Sequence, residues 1–380
     1  MTGSRDRRLK VCFVIPSLAG GGAERVAVQV LNALDDDRWE RSMYLFARSG
    51  PFLGDVAPAV RLESAGTSSR VGRWRGLRCF VRRARPDVVV AFLSYLSVLT
   101  ATRAARVGTR VIFDVETPVS AFLTDSEYRW SGRWNRRLFS AAMRIGCALA
   151  DLIVATSRGV AEDLVDSFGA PSARVHVVPN PVDLPAVAAA AQEPLDRTMQ
   201  ALWKPPVIVA AGRLAEAKNY PLLIDAFALL RERMPASLFI LGKGDEESAL
   251  RRMIQVRGLA DVVHLCGFQT NPWKYIARAD VFALTSRYEG FGNVVVEAMA
   301  CGVPIVATSS PGTRDIVSPG VDGLLVERHE PAAVADALAR VLTDGDLRTR
   351  MIETARRKVE RYRIESVALT YDRVLTEALA

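Results

Sequence analysis

The chain alternates short uncharged runs with stretches whose apolar residues recur every three or four positions. In the first half the runs at 11–15, 43–46, 88–93, 111–115, 152–156 and 175–178 read as strands. Between them, residues 24–34 place Val26, Ala27, Val30, Leu31 and Leu34 at helical spacing, and 74–84 reads as a helix closed by Arg85-Pro86. The pattern starts again in the second half. Runs at 207–211, 238–241, 262–265, 281–284, 303–308 and 323–326 read as strands, with helical stretches at 221–233 and 365–379. Apolar runs alternating with helical patterns predict parallel sheets of the α/β class.

Two restarts in 380 residues predict two domains. The turn Pro179-Asn180-Pro181-Val182-Asp183 closes the first set of strands, and the Ala-rich, weakly patterned stretch 186–204 reads as a linker. The expected division is 1–185, a linker at 186–204, 205–360, and a closing segment at 361–380.

Composition narrows the class. The chain is 49% hydrophobic and 24% charged, as in an ordinary globular enzyme. Residues 1–10 are polar and basic, without the apolar core of a signal peptide. The uncharged run 88–102 is 15 residues, short of the ~20 that a membrane span needs. Cys12, Cys79, Cys147, Cys266 and Cys301 are scattered and odd in number, which fits reduced thiols in the cytoplasm. His176, His264 and His329 are too far apart in sequence to suggest a metal cluster or triad.

Charge is unevenly spread. Residues 1–180 hold 26 Lys and Arg against 17 Asp and Glu, a net +9, whereas 181–380 hold 24 against 25, a net −1. Such asymmetry points to an acidic partner: membrane surface, nucleic acid or anionic substrate. Residues 70–85 carry seven arginines with Trp74, Leu77, Phe80 and Val81 on one face, and 128–144 form a second basic segment with Trp130, Trp134 and Phe139. Basic amphipathic helices of this kind suit the anionic inner face of a membrane; ordinary outer helices with solvated arginines remain the alternative. No nucleic-acid motif accompanies the charge.

The chemistry concentrates in 286–302, Ser-Arg-Tyr-Glu-Gly-Phe-Gly-Asn-Val-Val-Val-Glu-Ala-Met-Ala-Cys-Gly. Glu289 follows an apolar strand, and Glu297 lies about one turn into a helix opening near Asn293. Gly290 and Gly292 permit a sharp turn, leaving a helix N-terminus whose free N–H groups can seat a phosphate. Two acids beside a phosphate seat suit a nucleotide sugar, which brings hydroxyls next to its pyrophosphate. A plain strand–turn–helix with Glu289 as cap and Glu297 solvated is the other reading. Gly20-Gly21-Gly22-Ala23-Glu24 after the first strand makes a similar tight turn under a helix, with Glu24 equally readable as a first-turn acid. Gly212-Arg213-Leu214 with Lys218-Asn219 puts two cations at the mouth of a strand, where they can neutralise a diphosphate. Gly242-Lys243-Gly244 and Gly267-Phe268-Gln269 fall at strand ends on the same edge, where open α/β sheets bind ligands, or are simple capping turns. Asp35-Asp36-Asp37 ends a helix and reads as a solvated turn rather than a metal site.

The Glu-x7-Glu segment, the Gly-Gly-Ala-Glu loop, the Gly-Arg-Leu…Lys-Asn pair and the Asn-Pro-Val-Asp turn together resemble the retaining glycosyltransferases of family 4, over nearly the whole chain. The resemblance implies the GT-B fold: two Rossmann-like domains facing a cleft, with a C-terminal helix crossing back to the first. It implies catalytic roles for Glu289 at the donor hexose and for Arg213 and Lys218 on the leaving diphosphate. Donor binding would fall to Gly21, Gly22, Gly242, Phe268, Gly290, Phe291, Gly292, Asn293 and, at the ribose, Glu297. Many relatives carry a His in the loop after the strand at 111–115. This chain has Asp114-Val115-Glu116-Thr117-Pro118 there; some relatives place Ser-Glu-Arg-Asn in that loop, and by that likeness Glu116 is the counterpart, with Glu24 a separate acceptor-side residue.

The implied activity is retaining transfer of a hexose or N-acetylhexosamine from a UDP-sugar to a hydroxyl acceptor in cell-surface glycan or glycolipid synthesis, with no cofactor and no metal. A soluble natural-product glycosyltransferase, a nucleotide-sugar epimerase and a non-catalytic nucleotide-sugar binder are the alternatives. The expected location is cytoplasmic, peripheral on the inner face of the membrane.

Overall fold

The computed structural model describes residues 7–19, 21–124 and 133–380, and divides into two units. The first holds the chain up to Ser120, the elements between Arg133 and Pro181, and Ile364–Ala380; the second holds Val182–Arg363 together with Ala121–Thr124. Entry to and exit from the second unit lie side by side, because Val182 N–H donates to the Tyr362 carbonyl at 2.8 Å.

In the first unit seven strands run parallel: β1 (Leu9–Ile15), β2 (Trp39–Leu45), β3 (Arg61–Ser64), β4 (Val88–Phe92), β5 (Arg110–Val115), β6 (Leu152–Ala155) and β7 (Val175–Val177). Their order is 3-2-1-4-5-6-7. The central strand β4 is buried at all five positions, as helices on both faces demand. Edge strand β3 buries none of its four residues fully, which is why an apolar-run criterion passes over it.

Helix Gly22–Ala33 covers one face together with the closing helix Ile364–Glu377. Val26, Val30 and Leu31 of the former and Val367, Tyr371, Val374 and Leu375 of the latter enter one core with Phe13, Ile15 and Phe92. Each fully buried aliphatic side chain there contributes roughly 1.5–3 kcal/mol. The closing helix is thus a structural part of the first unit, to which the chain returns after Val182–Arg363.

The second unit repeats the plan with six parallel strands: β8 (Val207–Ala211), β9 (Ser237–Leu241), β10 (Val263–Leu265), β11 (Val281–Leu284), β12 (Ile305–Thr308) and β13 (Leu324–Val326), in the order 10-9-8-11-12-13. Both sheets are Rossmann-like, with the strand order reversing between β1 and β4 in one and between β8 and β11 in the other.

Residues 186–204, read as a linker, are largely helical. Helices Leu184–Ala191 and Arg197–Leu202 occupy them, capped by Asp183 and Asp196. Leu184, Val187 and Leu195 pack into the core of the second unit. The alanines hid this, since helix Leu184–Ala191 buries only two large side chains, Leu184 and Val187, and leaves a faint periodic signal.

Candidate functional site

In an open α/β sheet a ligand sits beyond the carboxyl ends of the strands, at the point where strand order reverses. In the second unit that point lies between β8 and β11, and the loops leaving those two strands carry Arg213, Lys218, Glu289 and the start of helix Asn293–Ala300. After β8 the chain turns through Gly212 (φ 154°), passes the short turn Glu216–Lys218 and enters helix Tyr220–Arg231 through Asn219 (φ 49°). After β11, Arg287 N–H donates to the Ala217 carbonyl at 2.8 Å, and the Thr285 hydroxyl donates to the carbonyls of Lys218 and Asn219 at 3.3 and 3.2 Å. These bonds clamp the two loops together.

The clamp brings Lys218 onto Glu289. Its ammonium lies 2.5 Å from Glu289 Oε1, with the two side chains 22% and 12% exposed. The Ser286 hydroxyl donates to the same oxygen at 2.6 Å. Glu289 is therefore held from two sides rather than acting as a helix cap. Burial, with the charge of Glu289 second, pushes the Tyr220 phenol well above its ordinary range; its hydroxyl donates to the Gly212 carbonyl at 3.2 Å.

Gly290 and Phe291 are buried, and the Phe291 ring packs edge-on to Tyr362 at 5.4 Å. The side chain of Phe291 is core, so only its backbone is left to meet a ligand. Gly292 caps the helix in the left-handed region (φ 102°), and no side chain caps the N-terminus in its place. Gly312 presses against this turn: a Cβ there would lie 2.4 Å from the Phe291 carbonyl oxygen, and its N–H donates to the Glu289 carbonyl at 3.1 Å.

Glu297 is 7% exposed and accepts from the Trp273 indole at 2.9 Å. The reading of a solvated Glu297 is thereby removed. A buried carboxylate needs partners to offset its desolvation, and Trp273 supplies one.

The loops after β9 and β10 join the same rim. Gly242 N–H donates to the Gly267 carbonyl at 2.8 Å, and Leu214 N–H to the Lys243 carbonyl at 2.9 Å. A Cβ on Gly242 would lie 1.9 Å from the Gly212 carbonyl oxygen, so glycine is required for the contact. Arg213 is exposed on this rim, and Phe268 is 67% exposed.

In the first unit, Gly21 and Gly22 are exposed at the start of helix Gly22–Ala33, with Glu24 in its first turn. Asp114 and Glu116 end β5 and lead out of it. Tyr371 of the closing helix donates its hydroxyl to Asp114 Oδ2, and Asn180 donates to Glu116 Oε2 at 2.8 Å. The remaining oxygens, Asp114 Oδ1 and Glu116 Oε1, are buried and have no conventional donor. Burial, opposed by the bond from Tyr371, pushes Asp114 up to about 7. Burial, then the Asp114 charge, pushes Glu116 well above the carboxylate range, with Glu24 a smaller contributor.

The sequence reading had Asp114 and Asn180 only as loop markers and missed Ser286, Trp273 and Tyr371. No local pattern could have found Tyr371, which lies 257 positions from its partner. Asp36 of the Asp35–Asp37 turn pairs with the buried Arg41 guanidinium. Among the described residues no group of three or more His, Cys, Asp and Glu is arranged to hold a metal. Also among them, no helix is long and apolar enough to cross a membrane.

Known proteins align with both units. Residues 20–185 match the family described as Glycosyltransferase Family 4, and 196–358 match Glycosyl transferases group 1. The chain is 36% identical, over 52% of its length and 53% of the relative's, to an N-acetylgalactosamine-N,N'-diacetylbacillosaminyl-diphospho-undecaprenol 4-alpha-N-acetylgalactosaminyltransferase of Campylobacter jejuni. That match spans about half of the relative. It is 27% identical to the lipopolysaccharide core biosynthesis glycosyltransferase LpsE of Rhizobium meliloti, over 88% of this chain and 89% of the relative. Among solved structures, Anabaena Alr3699/HepE in complex with UDP and glucose superposes with a TM-score of 0.79 at 21% identity, over 97% of this chain and 100% of that one. With the strand orders and both family matches in hand, the chain belongs to the group 1 glycosyltransferases of family 4, with the GT-B fold.

Proposed function

We propose that the protein transfers a hexose or N-acetylhexosamine from a UDP-sugar to a hydroxyl acceptor, with retention of anomeric configuration and without a resident metal, in the assembly of a cell-surface glycan or glycolipid. The observation that carries this reading is the Lys218–Glu289 ion pair at the β8/β11 crevice, beside Arg213 and an uncapped helix N-terminus. A crevice with fixed cations and open N–H groups favours a diphosphate, and an acid among them favours sugar hydroxyls. Neighbours solved with UDP and with UDP-glucose, and relatives named for N-acetylgalactosaminyl transfer and lipopolysaccharide core synthesis, support it.

In this scheme the bond between the sugar C1 and the diphosphate oxygen breaks, and its electron pair stays on the phosphate. Arg213, Lys218 and the N–H groups at Gly292–Asn293 stabilise that charge as it develops. The acceptor hydroxyl bonds to C1 on the same face, and its proton passes to the departing phosphate. Glu289 holds the hexose hydroxyls, and Glu297, braced by Trp273, takes the ribose. Gly242 and Phe268 frame the base, and the family resemblance assigns Gly21 and Gly22 to the donor and Glu24 and Glu116 to the acceptor.

Incubation with UDP-sugars tests the reading. UDP release that rises when a hydroxyl acceptor is added, with an α-linked product by NMR, is the expected result. Epimerised UDP-sugar, or tight binding without turnover against any acceptor, would overturn it.

A further inference from the structure

Three helices lie side by side on one face of the first sheet: Arg70–Ala84, Tyr95–Ala105 and Arg133–Leu149. Together they hold eleven arginines and no Asp, Glu or Lys. Arg75, Arg82, Arg136 and Arg137 are exposed. Helix Arg158–Phe168, with Glu162, Asp163 and Asp166, bounds this basic layer on one side.

The two arginine-rich helices differ in what they present. On Arg70–Ala84 the apolar side chains beyond the first turn face inward, with Val71 exposed at 61%: Leu77, Phe80 and Val81 are buried, and the Trp74 indole donates to Thr100 of the neighbouring helix at 3.0 Å. The aromatic face that the sequence offers to a bilayer is thus used internally. Arg133–Leu149 buries Met143, Gly146 and Cys147 yet leaves Leu138, Ile145 and Leu149 exposed at 64%, 58% and 56%, with Ala141 also exposed between them. Their spacing of three and four puts them on one stripe along the helix. Tyr128 and Trp130 lie outside the described residues.

We propose that this arginine layer and its leucine–isoleucine stripe form a docking surface for an anionic phospholipid bilayer. Charge complementarity selects the occupant. Guanidinium forks match the phosphodiesters of lipid headgroups, and the stripe enters the boundary between headgroups and acyl chains. A nucleic acid would satisfy the arginines but leave the stripe in water. The proposal deepens the transferase reading and rests on it in one respect: it places the acceptor hydroxyl on a molecule held at the bilayer.

Co-sedimentation of the full chain with vesicles of phosphatidylcholine alone, or with one-third phosphatidylglycerol, is the test. Binding is expected to the anionic vesicles only, and to weaken at least tenfold between 50 and 500 mM salt (roughly threefold shorter Debye length). The quadruple variant R75E/R82E/R136E/R137E should lose it. The triple variant L138S/I145S/L149S should reduce it at least fivefold, with Tm and calorimetric UDP affinity unchanged in both. Equal sedimentation with neutral and anionic vesicles, none with either at low salt, or duplex DNA competing as well as the vesicles would overturn the surface. UDP affinity separates the two ideas: a wild-type chain that binds UDP but no vesicles condemns only the surface, and absent UDP binding condemns the donor reading.

Discussion

Lys218 and Glu289, 71 positions apart, meet at 2.5 Å across the crevice between β8 and β11. Glu289 Oε1 receives both the ammonium and the Ser286 hydroxyl, so its orientation is set before any ligand arrives. Preorganised charge of this kind needs no rearrangement as a leaving group departs.

If the pair acts as a unit, Lys218→Ala and Glu289→Ala each lower kcat by about 10²-fold, and the double variant loses little more than either alone. Arg213→Ala, on the exposed rim, lowers kcat to a similar degree with Tm unchanged. Steady-state kinetics with thermal melts check this. Losses that multiply in the double variant would show two independent groups rather than a unit.

Glu297→Ala is expected to weaken UDP binding by on the order of 1.5–3 kcal/mol, the worth of a hydrogen bond to a charged group. Trp273→Phe keeps the ring but withdraws the indole donor, and should weaken binding less, through a looser Glu297. Calorimetric titration with UDP decides. Full affinity in Glu297→Ala removes the ribose assignment and leaves the residue as a packing anchor.

Asp114 gives a pH signature. Its folded-state value, about 7, lies above the ordinary 3.8, so the folded protein binds the proton more tightly than the unfolded chain does. The stability this contributes is fully present below about 3.8 and is lost as pH rises through about 7. Asp114→Asn, which cannot ionise, removes that slope. The Tm of wild type minus that of the variant should fall between pH 4 and 7 and level off above. A difference independent of pH would show that the carboxyl is ionised in the folded state.

Turnover is expected to survive chelation, since cations of the chain would stabilise the leaving diphosphate in the proposed scheme. Initial rates with and without EDTA, then with Mg²⁺ or Mn²⁺ added back, make the comparison. Restoration by metal after loss would replace this part of the scheme.

Local chemistry made much of this protein legible before any coordinates. Parallel strands read clearly because a strand buried on both faces, such as β4 or β11, is uncharged throughout. The glycines after β8 and β11 and the helix opening at Asn293 read clearly because tight turns demand small residues locally. Edge strand β3 and the helices at 184–202 did not, since partial burial and alanine weaken the periodic signal.

What tertiary structure alone decided is which distant groups share a buried space. Lys218 reaches Glu289 only because backbone bonds clamp two loops. Trp273 reaches Glu297 across 24 residues, and Tyr371 returns to Asp114 across 257. Desolvation makes these partners necessary, because a buried carboxyl must find a donor or keep its proton. The partner can come from any element that packs nearby, and nothing in the local sequence of Asp114 or Glu297 specifies which. The same reason separates the two basic helices: their arginines are equally visible in the sequence, but only packing decides that Trp74 turns inward while Leu138, Ile145 and Leu149 stay in water.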